Sequence, residues 1–170
     1  MWVGVDVCNT LANVNLELLR RFNIRMNEYP SPIEPEWFAT PEGLRVLWTA
    51  EPFPGAAAAL ARLVRNGYRL VYVSSRPKEA EFITFRWLEF HGFPEAPLCL
   101  LPQGRKVILA EKARVAAFFE DDPQEILALR RAGVDVIVKD WPYNRGVQGS
   151  CRFKAWREVA VQAAGILCMD

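Results

Sequence analysis

Five short segments of the chain are apolar at nearly every position and do not alternate between apolar and polar residues. Strands that are buried on both faces of a sheet show this pattern. Between these segments, apolar residues recur at helical spacing. The alternation predicts an α/β fold, a Rossmann-like three-layer arrangement in which helices cover both faces of a parallel sheet. The predicted strands span residues 2–5, 70–73, 97–101, 115–119 and 135–138, and the predicted helices span residues 55–66, 78–90, 103–114, 123–132 and 153–166.

The first crossover is too long for this pattern, because about 60 residues separate the first two strands and a simple crossover needs about a dozen. An amphipathic helical stretch is followed by a proline-rich break at residues 29–35 and by a second short helical stretch that ends near Trp48. We therefore predict that residues 13–54 form a small helical cap inserted after the first strand. The α/β core would then consist of residues 1–12 and 55–170.

The composition fits one soluble domain, with 170 residues of which 51% are hydrophobic and 24% are charged. The 21 Lys and Arg residues nearly balance the 20 Asp and Glu residues, so no overall field attracts a nucleic acid polymer or an anionic membrane. We see no signal-peptide pattern and no apolar run of about 20 residues, which favours a cytoplasmic protein without a membrane partner. Both a monomer and a homodimer are compatible with the sequence. An anionic ligand would have to be held by a local site.

The cysteines are scattered along the chain, and no two of them have the CxxC spacing of a zinc site. This scatter predicts neither a zinc ligand set nor a disulfide framework, and it favours a reducing compartment. The four are Cys8, Cys99, Cys151 and Cys168.

Acidic residues follow two of the predicted strands, where ligands bind in open α/β sheets. Asp6 follows the first strand, and Glu120 and Asp121 follow the fourth. These carboxylates would repel each other unless a cation lay between them, and oxygen ligands of this kind suit Mg²⁺. Two alternatives stay open: the acids are simply solvated, or they cap a helix, as Asp122 before Pro123 is typical of an N-cap.

Four short motifs follow one another along the chain. The first is an apolar strand that runs into residues 6–11, Asp-Val-Cys-Asn-Thr-Leu, and the second is a strand that ends at Ser74. The third is Lys106, on the helix before the fourth strand, and the fourth is the acidic pair at residues 120–121. In this order and context, the motifs resemble those of the haloacid dehalogenase (HAD)-like phosphohydrolase superfamily over nearly the whole chain.

The resemblance implies a role for each motif residue. Asp6 would be the nucleophile that forms an aspartyl-phosphate. Ser74 would donate a hydrogen bond to a phosphoryl oxygen, and Lys106 would place a cation beside both Asp6 and the phosphate. The turn that contains Asn9 and Thr10 would help to bind the phosphate through backbone amides.

The resemblance also implies a Mg²⁺ ion, bound by the Asp6 carboxylate, the Cys8 backbone carbonyl, and Glu120 or Asp121. Cys8 is the main departure, because the phosphatases of the superfamily have a second Asp here that protonates the leaving oxygen and then activates water. A thiol with a reference pKa of about 8.5 is a poorer acid, and acid–base help is typically worth about 10² to 10⁴ in rate. Hydrolysis should therefore be slow. The alternative is that Cys8 is only a small residue chosen for packing.

Two further segments resemble the 5'(3')-deoxyribonucleotidase branch of the superfamily and its bacterial relatives. Residues 75–77, Ser-Arg-Pro, follow the second strand, and residues 142–145, Pro-Tyr-Asn-Arg, follow the fifth. Arg152 and Trp156, near the end of the chain, add to this resemblance. For the second segment, the alternative interpretation is a turn whose Asn and Arg fix the predicted closing helix. The substrate-binding residues that this resemblance implies are Ser75, Arg76, Asn144 and Arg145.

The predicted cap is rich in aromatic side chains, and stacking on a nucleobase would be their functional role. Packing of the cap against the core is the alternative, and it is favoured for any individual ring. The single histidine, His91, lies at a predicted helix end away from the motifs, which disfavours a mechanism with a catalytic histidine. The aromatic residues are Phe22, Tyr29, Trp37, Phe38 and Trp48.

The sequence thus predicts a Mg²⁺-dependent phosphohydrolase of a small phosphomonoester, with (deoxy)nucleoside monophosphates as candidate substrates. Two alternatives follow from Cys8. One is a phosphate- or nucleotide-binding module with weak or no catalysis, and the other is a phosphotransferase that uses an acceptor other than water.

Overall fold

A computed structural model describes residues 1–25, 28–162 and 165–168, and its centre is a six-stranded parallel sheet. The strand order is β3-β2-β1-β4-β5-β6. The five predicted strands are confirmed, each to within one residue at either end. The strands are β1 (Trp2–Asp6), β2 (Arg69–Ser74), β3 (Leu98–Leu100), β4 (Val115–Glu120), β5 (Asp135–Lys139) and β6 (Cys151–Phe153).

The described residues contain six α-helices between the strands. Four of the predicted helices are present, although two of them begin three residues later than predicted, at Glu81 and Lys106. The Asp122 side chain accepts hydrogen bonds from the backbone N–H groups of Gln124 and Glu125, so it is the N-cap that the sequence suggested. The helices are α1 (Val14–Arg21), α2 (Pro41–Thr49), α3 (Ala56–Arg65), α4 (Glu81–Phe90), α5 (Lys106–Ala113) and α6 (Pro123–Arg131). Short 3₁₀ turns lie at Pro35–Ala39, Lys78–Ala80, Pro142–Asn144 and Trp156–Glu158.

Apolar cores lie on both faces of the sheet, which confirms the predicted α/β architecture. In β4, neighbouring Phe118 and Phe119 point to opposite faces, and both are fully buried. Helices α1 to α4 pack on the face of Phe119, and α5 and α6 pack on the face of Phe118. In β1, a Cβ on Gly4 would lie only 2.3 Å from the Phe118 ring, so glycine is required for this close approach.

The long first crossover contains α1, the 3₁₀ turn at Pro35–Ala39 and α2, so an insertion with two short helices is present. Leu18 of α1 and Leu47 of α2 are buried in the same core as Val5 of β1. This shared core fixes the insertion against the sheet. The division into a core and a separate cap stays a prediction.

The predicted closing helix over residues 153–166 is wrong. Instead, β6 adds a parallel strand beside β5, and β7 (Val159–Gln162) pairs with β8 (Gly165–Cys168) in an antiparallel hairpin. The reason is that Phe153 of β6 and Trp156 both pack on Phe119 of the sheet, and helical structure after β6 is limited, among the described residues, to the 3₁₀ turn at Trp156–Glu158. Residues 163–164 lie outside the described residues.

Among the cysteines, Cys8 and Cys99 are free thiols, whereas Cys151 lies in a disulfide that the scattered cysteine positions did not predict. None of the helices in the described parts of the chain combines the length and the hydropathy needed to cross a bilayer.

Candidate active site

The candidate site lies at the carboxyl edge of the sheet, where the ends of β1, β2 and β4 meet. β1 is hydrogen-bonded to β2 on one side and to β4 on the other. From β2 the sheet continues to β3 on one side, and from β4 it continues to β5 and β6 on the other. The strand order therefore reverses between β1 and β4, and open α/β sheets bind ligands at such a switch point. Asp6, Ser74 and Glu120 are the last residues of the three strands and therefore lie side by side at this edge.

Lys106 joins two of the strand ends. It is the first residue of α5 and is only 2% exposed. Its Nζ donates to Asp6 Oδ1 at 2.6 Å and to Glu120 Oε2 at 2.7 Å. Burial alone would lower the pKa of Lys106, but the Asp6 and Glu120 carboxylates hold it well above its usual value. The lysine therefore stays protonated and fixes the orientation of Asp6.

Asp121 is held on three sides. Thr10 Oγ1 donates to its Oδ1 at 2.8 Å, the Tyr143 hydroxyl donates to its Oδ2, and the Asn144 side-chain amide donates to its backbone carbonyl at 2.7 Å. Burial and the charge of Asp6 raise the pKa of Asp121, and the hydrogen bonds from Tyr143 and Thr10 oppose that rise. The side chain is thus positioned firmly beside Asp6.

Asp6, Glu120 and Asp121 form a buried acidic cluster in which one oxygen from each residue lies within 4.8 Å of the others. Lys106 supplies one positive charge against three carboxylates. Burial raises the pKa of Glu120, although Lys106 opposes this effect. Asp6 Oδ2 is buried and has no hydrogen-bond partner among the described residues. An all-oxygen cluster with excess negative charge and a free oxygen fits a divalent cation such as Mg²⁺.

The loop after β1 folds back on itself as a compact turn. Asn9 lies in the left-handed region with φ +57°, and its backbone N–H donates to the Ala12 carbonyl at 2.7 Å. Two indole groups from distant parts of the chain hold this turn. Trp141 Nε1 donates to the Asn9 carbonyl at 2.8 Å, and Trp156 Nε1 donates to the Thr10 carbonyl at 3.0 Å. Two buried indoles therefore hold the turn for which the motif implies phosphate binding.

On the opposite side, Cys8 lies close to β2. Its Sγ is 4.0 Å from Ser74 Oγ and accepts a hydrogen bond from Arg76 Nε at 3.2 Å. Burial raises the pKa of the Cys8 thiol, and the Arg76 guanidinium only partly opposes this effect. The side chain is thus a neutral thiol at neutral pH and not the carboxylate of the motif.

Comparison with known proteins identifies the family. Residues 1–164 match the family model described as "5' nucleotidase, deoxy (Pyrimidine), cytosolic type C protein". The chain belongs to this nucleotidase family. A Bacillus cereus protein named "Putative nucleotidase" is 27% identical over 182 residues, which cover 94% of this chain and 96% of that protein. A "Putative 5'(3')-deoxyribonucleotidase" of Chlorobaculum tepidum is 29% identical over 117 residues, which cover 64% of this chain and 54% of that protein.

Solved structures show the same fold at low sequence identity. A haloacid dehalogenase-like hydrolase of Streptococcus pneumoniae has a TM-score of 0.60 at 13% identity and covers 92% of this chain and 95% of that one. A D,D-heptose 1,7-bisphosphate phosphatase of B. bronchiseptica has a TM-score of 0.55 at 12% identity, covering 91% and 93%. The resemblance to the HAD-like superfamily and its nucleotidase branch is confirmed, and the chain is a hydrolase of this class.

The other residues predicted to contact the substrate differ in how far they are buried. Ser75 and Arg145 are exposed, and Asn144 is fully buried. Asn144 donates to the carbonyls of Asp121 and Lys139 and accepts from the Trp141 backbone. Its hydrogen bonds therefore lie within the protein, as the turn interpretation expects. Substrate contacts by Ser75, Asn144 and Arg145 stay predictions.

Tyr143 was missed as a site residue because a tyrosine in a proline-containing turn carries no signal of its target. Its ring stacks on Trp141 and on Tyr29, with centroid distances of 5.7 Å and 5.4 Å. Tyr29 belongs to the long insertion, so the insertion contacts the acidic side of the site.

The remaining aromatic residues of the insertion contact other rings, as the packing interpretation expects. Trp37 has edge contacts with Phe22 and Phe38, and Trp48, which is 41% exposed, lies against Phe90 of α4. His91 is the C-cap residue of α4, as predicted from its position at a helix end.

Proposed function

We propose that this nucleotidase-family hydrolase is a Mg²⁺-dependent phosphohydrolase of small phosphomonoesters, and that its substrates are nucleoside or deoxynucleoside monophosphates. The observation that carries the proposal is the state of Asp6. Lys106 fixes one of its oxygens, and the other is buried without a partner beside Glu120 and Asp121. Family membership and the names of the relatives support a small phosphorylated substrate.

Asp6 is the proposed nucleophile. A carboxylate attacks phosphorus efficiently when it is held in one orientation and when the charge of the phosphoryl oxygens is neutralised. Lys106 provides both effects, since it contacts Asp6 directly and is a permanent cation at the site. The P–O bond formed to Asp6 gives an aspartyl-phosphate, and hydrolysis of that intermediate restores the carboxylate and releases phosphate.

The proposed Mg²⁺ ligands are the Asp6 carboxylate, the Cys8 backbone carbonyl, and Glu120 or Asp121. When bound, the ion would neutralise negative charge on the phosphoryl oxygens. Glu120 is oriented by Lys106 and by the backbone N–H groups of residues 121 and 122, and Asp121 is oriented by Thr10 and Tyr143. Both acids are thus held in place before an ion arrives.

Ser74 and the turn at Asn9 and Thr10 are proposed to bind the phosphoryl group. Ser74 is fully buried at the end of β2, and its Oγ accepts a hydrogen bond from the Arg76 backbone and lies 4.0 Å from Cys8 Sγ, so its hydroxyl could donate to a phosphoryl oxygen in place of the weak contact with sulfur. The Asn9 side chain hydrogen-bonds to Asn15 at the start of α1, and the Asn9 backbone N–H donates to the Ala12 carbonyl, so Asn9 would have to release one of these bonds to contact the phosphoryl group.

Phosphate release from a deoxyribonucleoside 5'-monophosphate panel and from p-nitrophenyl phosphate, with Mg²⁺ and with a chelator, tests the proposal. We expect Mg²⁺-dependent turnover that is abolished in Asp6→Asn. The matched control is Asp135→Asn, because Asp135 lies at the opposite end of β5 and its side chain bonds only to Ser150 among the described residues. Full activity of Asp6→Asn, or saturable phosphate binding without turnover of any substrate, would contradict the proposal.

A further inference from the structure

Arg76 is a buried cation that lacks an acidic partner among the described residues. It follows β2 by two residues and is only 5% exposed. Its hydrogen-bond partners are neutral: Nε donates to Cys8 Sγ at 3.2 Å, and Nη1 donates to Thr84 Oγ1 at 3.0 Å. Nη2 is buried and has no partner in the described part of the chain. Because burying a charge without an opposite charge is costly, this guanidinium is suited to an anion that comes from outside the chain.

Arg76 and Lys106 are buried cations on opposite sides of β1. Lys106 contacts Glu120 at the end of β4, and two carboxylates neutralise it. Arg76 lies beyond the end of β2, which pairs with the other side of β1. Its link to the site is Cys8, in the loop that carries Asp6. Lys106 therefore has two carboxylate partners, whereas Arg76 has none among the described residues and lies 6.0 Å from the centre of the Trp87 ring.

We propose that Arg76 contacts the departing oxygen of the phosphomonoester and stabilises its negative charge, in place of the carboxyl group that Cys8 does not supply. This proposal rests on the proposed function, since it requires transfer of a phosphoryl group to Asp6. In an in-line displacement, the attacking and departing oxygens lie on opposite sides of phosphorus. Arg76 contacts Cys8 and makes no hydrogen bond to Asp6 in the described residues, so it is placed for the departing oxygen.

The step balances without a carboxylic acid. An Asp6 oxygen bonds to phosphorus, the bond from phosphorus to the ester oxygen breaks, and its electron pair stays on the ester oxygen. Arg76 stabilises this alkoxide through the Nη2 N–H and keeps its own protons. A solvent water protonates the alkoxide to the free alcohol and becomes hydroxide, which attacks the aspartyl-phosphate. Hydrogen phosphate and the Asp6 carboxylate are the products.

A comparison of two leaving groups tests this role. p-Nitrophenolate is a stable anion and needs little help to depart, whereas the 5'-alkoxide of a deoxyribonucleoside monophosphate needs much. We expect Arg76→Met to lower kcat/KM on the nucleotide by about 10² or more, and on p-nitrophenyl phosphate by a clearly smaller factor. Arg76→Lys keeps the charge, so its kcat/KM on the nucleotide should lie between the values of Arg76→Met and the wild type. The matched control is Arg86→Met, an exposed residue of α4 that pairs only with Glu89 in the described residues.

Equal losses on both substrates indicate a structural role and overturn the proposal, as does an Arg76→Met enzyme with undiminished activity. If Arg76→Met does not fold, the same comparison with Arg76→Lys decides, and equal losses there also overturn the proposal. If the wild-type protein hydrolyses neither ester, that result contradicts the proposed function but does not by itself decide whether Arg76 contacts an anion. Calorimetry with inorganic phosphate then decides on Arg76: a Kd weakened about tenfold in Arg76→Met supports its contact with the anion, and an unchanged Kd overturns it.

Discussion

Lys106 Nζ lies 2.6 Å from Asp6 Oδ1, while Asp6 Oδ2 is buried and has no partner in the described residues. One oxygen of the carboxylate is thus fixed by a cation, and the other keeps its lone pairs. The same ammonium group also contacts Glu120, so a single lysine sets the relative position of the ends of β1 and β4. A preorganised carboxylate of this kind needs little rearrangement to react or to bind a cation.

Replacement of this lysine separates its effects on stability and on rate. In Lys106→Met, we expect kcat for phosphate release to fall by about 10² to 10³, because a charged group beside the phosphoryl oxygens is lost. Without metal, we also expect the free energy of unfolding to fall by about 3 to 5 kcal/mol, since two buried carboxylates lose their cation. Phosphate release and urea unfolding measure the two effects. Lys112→Met, at an exposed position of the same helix, is the control. An active Lys106→Met enzyme would rule out the proposed role.

A substitution at position 8 is expected to increase activity. In Cys8→Asp, a carboxyl group replaces the neutral thiol beside Arg76 and restores an acid–base group to the motif. We expect turnover of a nucleoside monophosphate to rise, up to the factor of about 10² to 10⁴ that such a group typically contributes. Cys8→Ala is the matched variant, because it removes the thiol without adding an acid. If Cys8→Asp and Cys8→Ala have the same rate, the residue at position 8 does not limit the reaction.

The acidic cluster predicts a pH dependence of stability in the metal-free protein. Burial raises the pKa values of Glu120 and Asp121, so the folded protein keeps protons there that the unfolded chain releases at about pH 4. This contribution to stability is complete below about pH 4 and is lost as the pH rises through the raised pKa values. Each such group lowers the free energy of unfolding by up to about 1.4 kcal/mol per pH unit across that window.

Urea unfolding of the metal-free protein at a series of pH values measures this effect. Asp121→Asn cannot titrate at this position, so its free energy of unfolding should fall less steeply with pH than that of the wild type. Identical slopes in the two proteins would show that Asp121 has the same pKa in the folded and unfolded chains.

Much of this site could be predicted from the sequence because its residues directly follow buried strands. Asp6, Ser74 and Glu120 end apolar strands, and parallel strands bring their carboxyl ends to one edge. The contacts that position these residues could not be predicted in this way. Tyr143 reaches Asp121 only because the loop after β5 folds over the end of β4, and no local pattern encodes that path.

The end of the chain was mispredicted because its apolar spacing also suits a helix. Residues 153–166 have apolar side chains at intervals that strands and a helix can both satisfy. Tertiary packing decides between them, since Phe153 and Trp156 fill the core against Phe119. The sequence showed Trp156 near the end of the chain, but it did not show its hydrogen bond to the loop after β1.

That hydrogen bond gives a final prediction, because it connects the last part of the chain to the reacting loop. Trp156 Nε1 donates to the Thr10 carbonyl, and Trp156 is fully buried. Trp156→Phe keeps an aromatic ring in the core but leaves this carbonyl without its donor, at a cost of about 1 to 3 kcal/mol in the free energy of unfolding. The turn would then be less firmly held, and we expect kcat to fall by about tenfold to 10²-fold, since small displacements of reacting groups have large effects. Trp48→Phe, at a partly exposed position of α2, should change neither quantity. Urea unfolding and steady-state kinetics distinguish the outcomes: a loss of stability with an unchanged kcat would mean that this indole supports the fold alone and not the geometry of the turn.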